Sequence, residues 1–378
     1  MIKWTPEQRA LRDDLRRWHP KLGADHLRND RAGVFPADTW ESVSASGILR
    51  VPFEERWGGL EKDLLSTMCV LEDLGHGCRD GGLNFSVSTQ MVSVGIPVQR
   101  FGSDDLKSRV LPGICSGAVL GAHAITEPEG GSDAMHMHTT ATADGDAYVL
   151  NGRKAFISNG PVADVIVVYA RTGEPGPFGL TAFVVERGTP GLTVHPANEK
   201  MGLRSSPYCE LSFDDCRVPA GHVIGKQGIG FTVMDYVLKW EILSSFSISL
   251  GEMRHRLDKV TEFAAARRQF GQSIGSFQSV SNKIVEMKIG VETSRKWLHD
   301  TAQKFTEGES VTTDLAITKL VVSENNLASA LAAVQIFGAR GYTSEYGIEG
   351  DLRNAVGGTI YSGTSEVQRQ RIAKMLDL

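Results

Sequence analysis

The sequence has no cluster of basic residues, and this absence weighs against a nucleic-acid partner. Its 40 Lys and Arg are outnumbered by 45 Asp and Glu, which gives a net charge of −5. Proteins that bind nucleic acids usually concentrate Lys and Arg on one face or along one segment. No Lys/Arg-rich run occurs anywhere in this chain. We therefore expect no nucleic-acid partner.

Long apolar runs and paired cysteine motifs are also missing. The first residues, MIKWTPEQRALRDDLRRWH, are charged from the start and contain no apolar core of a signal peptide. No stretch approaches the roughly 18 apolar residues of a membrane span. The five cysteines are odd in number and lack C-x-x-C spacing, which favours buried free thiols. These absences predict a soluble, cytoplasmic protein that does not bind a membrane.

Common nucleotide and metal motifs are absent as well. The chain has no G-x-G-x-x-G after a strand, no G-x-x-x-x-G-K-[ST] and no H-E-x-x-H, so it offers no support for a nicotinamide, P-loop or metal site. One literal G-x-S-x-G occurs at residues 271–275. The hydrolase elbow requires a strand before the serine and a later Asp and His. Here the helical stretch VTEFAAARRQF precedes the motif and only His299 follows it, so a hydrolase is disfavoured.

The periodicity of the sequence changes twice along the chain. Thr5, Pro6 and Gln8 form a helix start with a capping box, and helical patterns continue to about residue 117. Short β-branched or alternating runs separated by Gly, Pro, Asn and Asp then follow, and the helical period returns after IGKQGIG. The pattern predicts a mainly α protein with a central β-domain. The expected domains are 1–117 (helical), 118–226 (β) and 227–378 (helical).

One acidic residue lies in an apolar helical stripe. In the segment 231–253 the core-facing positions are Met234, Val237, Leu238, Glu241, Ser245 and Ile248. A buried carboxylate must be paired or border a polar cavity, because an isolated buried charge is too costly. The residues alone leave two explanations open for Glu241. It either forms a salt bridge to a distant Arg or serves as a general base whose pKa is raised by burial.

Three stretches together resemble the acyl-CoA dehydrogenase family of flavoproteins. They are AITEPEGGSDAMHMHTTATADGDAYVLNGRKAFISNG, ARRQFGQSIGSFQSV and IYSGTSEVQRQRIAK, and they occur in the family's order. The resemblance covers essentially the whole chain. It implies a helical domain, a β-barrel middle domain and a C-terminal four-helix bundle, with FAD between the β-domain and the C-terminal helices. It also implies that a carboxylate takes the α-proton of a thioester while the β-hydride passes to flavin N5.

The resemblance assigns cofactor contacts on two surfaces. In the β-domain, backbone amides and a Thr hydroxyl would bond the flavin ring, and the family more often has Trp where Phe156 stands. The implied residues there are His123, Ile125, Thr126, Phe156 and Ser158. A second set matches a pyrophosphate and adenine site reached from a neighbouring subunit, where a guanidinium can bond a diphosphate in bidentate fashion. That set comprises Arg267, Phe270, Gln278, Gln335 and Gly338.

The loop 357–364 matches the family's flavin-contacting loop, with one departure. Thr364 and Glu366 match positions near the phosphate and adenine parts of the cofactor. Many family members carry the catalytic Glu where Ser362 stands, and a serine cannot be that base. We interpret Ser362 as a small residue that leaves room in the substrate site. In isovaleryl-CoA dehydrogenase-like members the base lies where Glu241 stands, although an Arg usually follows it and here Ile242 does.

Within the family, the likeness is to dehydrogenases that oxidise prolyl groups on peptidyl carrier proteins in natural-product biosynthesis. The shared features are NGPVADVIVVYA, LRSSPYCELSFDDCRVP, the pair Trp240 and Glu241, and GGTIYSGTSEVQ. They suggest a phosphopantetheine-bound substrate instead of a CoA ester. Ser132, Trp240, Tyr361 and Ser362 are the expected substrate contacts. Met91 is a further candidate for the pocket, and each aromatic or Met residue could equally be ordinary core.

Other functions stay open at this point. One is an ordinary acyl-CoA dehydrogenase acting on a short or branched acyl-CoA. Two others are a catalytically silent flavin-binding member and an oxidase whose reduced flavin reacts with oxygen. The resemblance further implies a homotetramer and an electron acceptor that is either another flavoprotein or oxygen.

Overall fold

A computed structural model describes residues 4–176 and 178–378, and it has three parts in chain order. Helices come first, an eight-stranded sheet follows, and a second group of helices completes the chain. The prediction of a mainly α protein with a central β-domain is confirmed. The predicted capping box is present too: the Gln8 amide donates to Thr5 Oγ1, and the Thr5 amide donates to Gln8 Oε1.

From residue 4 onward, the N-terminal part contains eight α-helices and one π-helix. The π-helix, Thr89–Gly95, joins the sixth and seventh helices into one continuous helical path. Short 3₁₀ turns cover Ile48–Arg50 and Glu55–Trp57. The helices are α1 (Pro6–Arg16), α2 (His19–Leu22), α3 (His26–Ala32), α4 (Ala37–Ser46), α5 (Leu64–Gly77), α6 (Gly81–Ser88), α7 (Ile96–Phe101) and α8 (Asp104–Ser116).

The middle part is a single sheet with the strand order β6-β7-β3-β2-β4-β5-β8, and β1 pairs in parallel with β4. The strands are β1 (Gly121–Ala124), β2 (Thr140–Asp144), β3 (Ala147–Ser158), β4 (Val165–Arg171), β5 (Leu180–Glu186), β6 (Leu192–Val194), β7 (Tyr208–Pro219) and β8 (Val223–Ile224). Within the described chain the end strands β6 and β8 do not pair with each other. The middle domain is therefore an open sheet. One apolar cluster lies within this domain, and a second cluster joins the sheet to the N-terminal helices and to the first helix of the C-terminal part.

The C-terminal part is built on three long helices. Its helices are α9 (Gly230–Ala266), α10 (Gln278–Thr306), α11 (Thr312–Phe337), α12 (Ala339–Tyr342), α13 (Ile348–Gly358) and α14 (Ser365–Met375). Between α9 and α10 lies a hairpin of β9 (Arg268–Gln269) and β10 (Gln272–Ser273). Phe270 and Gly271 form its turn with positive φ angles of 51° and 82°, as two-residue hairpins require. The G-x-S-x-G match thus lies in a hairpin and the segment after it, and not at a strand-to-helix elbow.

Helix α11 departs from the expectation that no segment approaches a membrane span. By length and composition alone, Thr312–Phe337 is apolar enough to cross a membrane. In the fold it packs against α9, α10 and α14 as a central helix of the C-terminal group. A core helix passes the same length and composition test, since it too is surrounded by apolar side chains.

Two glycines bring α5 and α9 into close contact. A Cβ atom on Gly75 would lie 2.1 Å from the Ile248 carbonyl oxygen, and one on Gly251 would lie 2.0 Å from the Glu72 carbonyl oxygen. Only glycine allows this approach of the two backbones. The crossing sets the position of α9 against the N-terminal helices, which matters because α9 carries Glu241.

The cysteines and one tryptophan, Trp240, pack in or against the apolar core. All five cysteines are buried free thiols, as predicted. Trp240 packs against the apolar clusters of the N-terminal helices, the sheet and the C-terminal helices. Residue 240 therefore lies where the three parts of the chain meet, next to the acidic residue that follows it.

Candidate active site

Glu241 lies on the face of α9 that packs inward. Of the predicted stripe neighbours, Met234, Val237, Ser245 and Ile248 are buried, whereas Leu238 is only half-buried. The Glu241 side chain retains 16% of its full exposure. Its carboxylate is thus largely withdrawn from solvent but is not sealed inside the core.

The Glu241 carboxylate is surrounded by neutral hydrogen-bond donors. Ser362 Oγ donates to Oε1 at 2.5 Å, and Ser93 Oγ donates to Oε2 at 2.9 Å. His123 Nδ1 lies 4.0 Å from Oε2. Among residues 4–176 and 178–378, no Lys or Arg nitrogen lies within 4.0 Å of this carboxylate. The salt-bridge explanation for a buried Glu241 is therefore wrong.

The environment of Glu241 raises its pKa. Burial is the largest cause, and the hydrogen bonds from Ser362 and Ser93 oppose it in part. Burial also lowers the pKa of His123 to about 3, so its imidazole is neutral near pH 7 and adds no positive charge. A carboxyl with a raised pKa is a better proton acceptor than an exposed one. The geometry suits a general base.

Ser362 does more than leave room, so that part of our interpretation needs correction. Its hydroxyl binds the carboxylate of Glu241 directly. The family resemblance could not reveal this bond, because it matches sequence positions one by one and does not show which distant residues contact each other. The bond exists because the loop before α14 and the middle of α9 come together in the fold.

Ile242, at the position where the resemblance leads one to expect an arginine, places no charge beside Glu241. Its side chain is buried with Leu243 and Phe246 in the apolar cluster of the C-terminal helices. A charged residue would have no partner in that apolar cluster. Burial, with no adjacent cation, therefore dominates the pKa of Glu241.

His123 connects Glu241 to the sheet. Its Nε2 lies 3.2 Å from the Tyr169 hydroxyl, and the two rings meet edge to face with centroids 5.4 Å apart. The Tyr169 hydroxyl can donate to Nε2, which leaves the Nδ1 proton on the side of Glu241. The resemblance placed the backbone of His123 along a flavin, whereas its side chain faces Tyr169 and Glu241.

The four β-domain residues assigned to the flavin ring share one edge of the sheet. Strand β3 has one extra residue opposite β7 between Lys154 and Ile157, and such a bulge re-aims the side chains within it. Phe156 lies in this bulge with φ +59° and a ring that is 60% exposed. The Ala155 amide donates to the Thr126 carbonyl at 2.9 Å. Ile125 and Ser158, both half-buried, flank these contacts.

This edge fits a flavin. Its exposed aromatic ring and the hydroxyls of Thr126 and Ser158 offer one stacking surface and two polar groups for an amphipathic ring system. The adjoining loop is open as well, since a Cβ atom on Gly130 would meet nothing within 4 Å. Backbone without side chains can approach a ligand closely.

A buried ion pair holds the loop that carries Thr126 and Ser132. Lys154 Nζ donates to Glu127 Oε1 and to the Ile125 carbonyl, both at 2.9 Å. Glu127 also accepts hydrogen bonds from the amides of His138 and Thr139. Both side chains are almost fully buried. One charge pair therefore fixes both ends of the segment 125–139, while Ser132 at its outer part is exposed.

The second set of predicted cofactor residues lies far from Glu241. Arg267, Phe270, Gln278, Gln335 and Gly338 are all exposed at the end of the C-terminal helices where α9 ends and α10 begins. Phe263 and Phe337 stack there at 4.1 Å and join the ends of α9 and α11. At about 1.5 Å per helical residue, Arg267 lies about 39 Å along α9 from Glu241. Within one chain, this set does not meet the first.

The remaining predicted residues surround the loop before α14 or line the core. Thr364 caps α14 by accepting from the Val367 amide at 3.2 Å, and Glu366 is exposed in the first turn. The ring of Tyr361 packs against Phe85 and Phe246. The indole N–H of Trp240 is buried and has no protein partner in the described chain. Met91 is fully buried in the N-terminal core, which favours its ordinary structural role.

Three residues of the site were not predicted from the sequence: Ser93, Tyr169 and Lys154. Ser93 sits in the apolar helical run QMVSVGIP, where nothing local marks a π-helix. Tyr169 occurs in the apolar run VIVVYA, which indicates a buried strand and not a functional residue. Lys154 and Glu127 lie within the motifs that carried the resemblance. Their opposite charges next to apolar runs were the available signal for a buried ion pair.

Comparison with protein families agrees with this architecture over most of the chain. Residues 5–118, 122–216 and 228–376 match the N-terminal, middle and C-terminal domains of acyl-CoA dehydrogenase, respectively. The three matches occur in the same order as the helical, β and helical parts of the structure.

Individual relatives cover nearly the whole chain. An L-prolyl-[peptidyl-carrier protein] dehydrogenase of Serratia sp. is 37% identical over 346 residues, covering 91% of this chain and 90% of that protein. The crystal structure of the prolyl acyl carrier protein oxidase AnaB is similar with a TM-score of 0.96 and 36% identity, covering 100% of both chains. PigA with FAD and proline has a TM-score of 0.96 and 35% identity, covering 100% of this chain and 99% of that one. This chain therefore belongs to the acyl-CoA dehydrogenase family.

Proposed function

We propose that this protein is an FAD-dependent dehydrogenase that introduces a double bond between the α and β carbons of an acyl or aminoacyl thioester. The observation that carries the proposal is the Glu241 carboxylate, which is buried, has a raised pKa and is held by neutral donors. A buried carboxylate without a cationic partner is costly to stability, and such groups cluster at functional sites. Glu241 is the base in this proposal.

The reaction divides between the protein and the cofactor. Glu241 takes the α-proton of the substrate, and burial of its carboxylate strengthens it as an acceptor. The chemistry that FAD would supply, when bound, is an acceptor for the hydride that leaves the β carbon. Thr126, Phe156 and Ser158 would hold the flavin ring at the sheet edge, and Ile125 and His123 would contribute backbone amides. Hydrogen bonds to the thioester carbonyl would stabilise the negative charge that develops as the proton leaves.

The substrate class that we propose is a prolyl or similar aminoacyl group on a phosphopantetheine carrier protein. Its support is the similarity to an L-prolyl-[peptidyl-carrier protein] dehydrogenase, to AnaB and to PigA. Trp240 adds a feature of this chain, because it directly precedes Glu241 and its buried indole N–H has no partner in the described residues, so it can donate to a polar substrate group. Ser132, Tyr361 and Ser362 complete the proposed substrate contacts.

Anaerobic flavin bleaching tests the substrate class. Purified protein with bound FAD is mixed with matched prolyl, butyryl and isovaleryl thioesters, each prepared both on a carrier protein and as a CoA ester. We expect rapid bleaching by the prolyl carrier thioester and at least tenfold slower bleaching by the CoA esters. Preferential bleaching by butyryl-CoA or isovaleryl-CoA would assign the protein to ordinary acyl-CoA oxidation. Retained FAD with no bleaching in any arm would contradict a dehydrogenase.

We also propose that the protein works as a homotetramer in the cytoplasm, and that another flavoprotein or oxygen reoxidises its flavin. The separation of about 39 Å between Arg267 and Glu241 supports an assembly of at least two chains. Arg267, Phe270, Gln278, Gln335 and Gly338 of one subunit would contact the phosphates and adenine of the FAD bound by another. Thr364 and Glu366, at the start of α14, would contact the same part of the cofactor.

The exposed ring of Phe270 provides a test of this assembly. Phe270 is 93% exposed at the turn of the β9–β10 hairpin, and an aromatic side chain in that position is typical of a contact residue. We expect Phe270→Ser to weaken FAD retention and subunit association by roughly tenfold or more. Phe178→Ser is the matched control, because Phe178 is 86% exposed and belongs to no proposed site. Equal FAD content and equal mass by sedimentation in both variants would contradict the shared site.

A further inference from the structure

We propose that Ser93 and Ser362 are positioning residues that clamp the two oxygens of Glu241 and favour its charged form. The relevance of this clamp to catalysis rests on the proposed function, in which Glu241 is the base. Each carboxylate oxygen has its own hydroxyl donor, Ser362 Oγ on Oε1 and Ser93 Oγ on Oε2. The carboxylate cannot turn about its last bond without breaking both hydrogen bonds. The two serines therefore set the direction in which Glu241 faces its substrate.

The three residues come from three separate parts of the chain. Ser93 belongs to the π-helix of the N-terminal part, Glu241 to α9, and Ser362 to the loop before α14. Along the sequence, Ser93 lies 148 residues from Glu241, and Ser362 lies 121 residues from it. Such a contact forms only when all three segments have folded against one another. The clamp thus couples the geometry of the base to the packing of the whole protein.

The direction of Ser93 depends on the π-helix. Residues Thr89–Gly95 are wound with wider turns than the α-helices on both sides, and this changes which residues face α9. Ser93 is 4% exposed, so its hydroxyl cannot use solvent as a partner and donates to Glu241 instead. π-helical segments within α-helices frequently occur at functional sites. The local winding is one of the means by which this chain brings a hydroxyl to its base.

Ser362 is held in place by a second buried side chain. Its backbone adopts a left-handed conformation with φ +55°, which is uncommon for residues other than glycine. Gln368 is fully buried, and its Nε2 donates to the carbonyl oxygens of Ser362 at 3.1 Å and Gly363 at 3.4 Å. These bonds fix the turn that presents the Ser362 hydroxyl. Gln368 acts on Glu241 only through Ser362.

Hydrogen bonds to the charged form of an acid lower its pKa, whereas burial raises it. At Glu241 burial is the larger effect, and both serines oppose it. The other titratable groups that face the site are His123, Tyr169 and Tyr361. The pKa of His123 is lowered to about 3 by burial, and burial raises the pKa of both tyrosines above the ordinary value. None of the three changes charge near neutral pH. Glu252, further along α9, does titrate there, because burial raises its pKa to about 7. The signal of Glu241 must therefore be separated from that of Glu252.

Infrared titration of the FAD-loaded protein measures the pKa of Glu241 directly, without any substrate. The band of the protonated Glu241 carboxyl is assigned by its absence in Glu241→Gln and followed against pH. The variants are Ser93→Ala, Ser362→Ala and Ser93→Thr, which keeps the hydroxyl. The control is the double variant Ser88→Ala/Ser245→Ala. It removes two buried hydroxyls that bond each other at 2.7 Å. Ser88 directly precedes the π-helix and Ser245 lies on α9, and neither hydroxyl is a hydrogen-bond donor to Glu241 in the described chain.

We expect the wild-type midpoint to lie above the ordinary value of 4.5. Each Ala variant should move it upward by about one pH unit, the size expected for one hydrogen bond to a charged group. Ser93→Thr should stay close to wild type, and so should the double variant. An unshifted midpoint in both Ala variants would overturn the proposal, and so would an equal shift in the double variant. Because Ser93 and Ser362 lie in different segments, misfolding of one variant leaves the other to decide.

The same variants separate the clamp from the proposed function. The acidic limb of the flavin-reduction rate should move upward with the infrared midpoint, with a fall in kcat at neutral pH and little change in KM. Infrared shifts without flavin reduction by any thioester in the wild type would support the clamp and reject the dehydrogenase. Flavin reduction with coincident pH profiles in all variants would support the dehydrogenase and reject the clamp.

Discussion

Replacing Glu241 by glutamine is expected to slow anaerobic reduction of the bound flavin by about 10²- to 10⁴-fold, the usual contribution of a general base. Glutamine has nearly the same shape, and its carbonyl oxygen can still accept from Ser93 or Ser362. The variant should therefore fold and retain FAD like the wild type. What it loses is the ability to accept the α-proton. Stopped-flow absorbance of the flavin under anaerobic conditions measures the rate.

Glu252→Gln is the matched control for that variant. Glu252 is a second carboxyl group on α9, and burial raises its pKa to about 7 even though Arg256 opposes the shift. It has no place in the proposed reaction. We expect Glu252→Gln to keep the wild-type rate within a few-fold. Equal losses of the flavin-reduction rate in both variants would mean that buried carboxyl groups on α9 stabilise the fold and do not react with the substrate. A normal rate in Glu241→Gln would remove Glu241 as the base.

Replacing Lys154 by methionine is expected to lower the free energy of unfolding by about 3–5 kcal/mol, because it leaves Glu127 buried without its cation. Burial raises the pKa of Glu127, but attraction to Lys154 and hydrogen bonds outweigh it and hold that pKa below its ordinary value. Burial lowers the pKa of Lys154 to about 8, so both groups are charged at pH 7. Chemical denaturation at pH 7 measures the loss of stability.

The same change should loosen FAD, because the pair holds the segment that carries Ile125 and Thr126. The double variant Lys154→Met/Glu127→Gln removes both charges, and neutral replacement of a buried pair is often close to neutral in stability. We expect this double variant to recover most of the lost stability. Its FAD retention should recover less, since a methionine side chain has no donor for the Ile125 carbonyl. If the single and double variants were equally unstable, the charge left on Glu127 could not be the cause.

Much of the fold could be predicted from local patterns. The capping box at Thr5, the strand-like runs of the middle part and the return of helical periodicity each reflect interactions between residues close in sequence. The core-facing position of Glu241 followed from helical spacing alone. The hairpin at residues 268–273 was missed, because its two strands have only two residues each and helical patterns flank it.

The partners of Glu241 could not be predicted in the same way. A sequence pattern reports which face of a helix is buried, but not which residue from another segment covers it. Ser93 and Ser362 reach the carboxylate because a π-helix and a left-handed turn give their backbones unusual directions. Neither conformation has a local signal in this chain, since Ser362 is not a glycine and the π-helix lies in an ordinary apolar run.

By itself, the sequence determined the order of helical and β parts, the inward position of one carboxylate on α9 and the family resemblance, because these depend on composition, periodicity and motifs. Only the tertiary structure decided that Glu241 has no cationic partner, that two hydroxyls hold it, and that Arg267 and Phe270 lie far from it within one chain. The physical reason is that burial and hydrogen bonding at a point depend on which distant segments meet there. In this protein, the α5–α9 crossing at Gly75 and Gly251 and the loop before α14 bring those segments together.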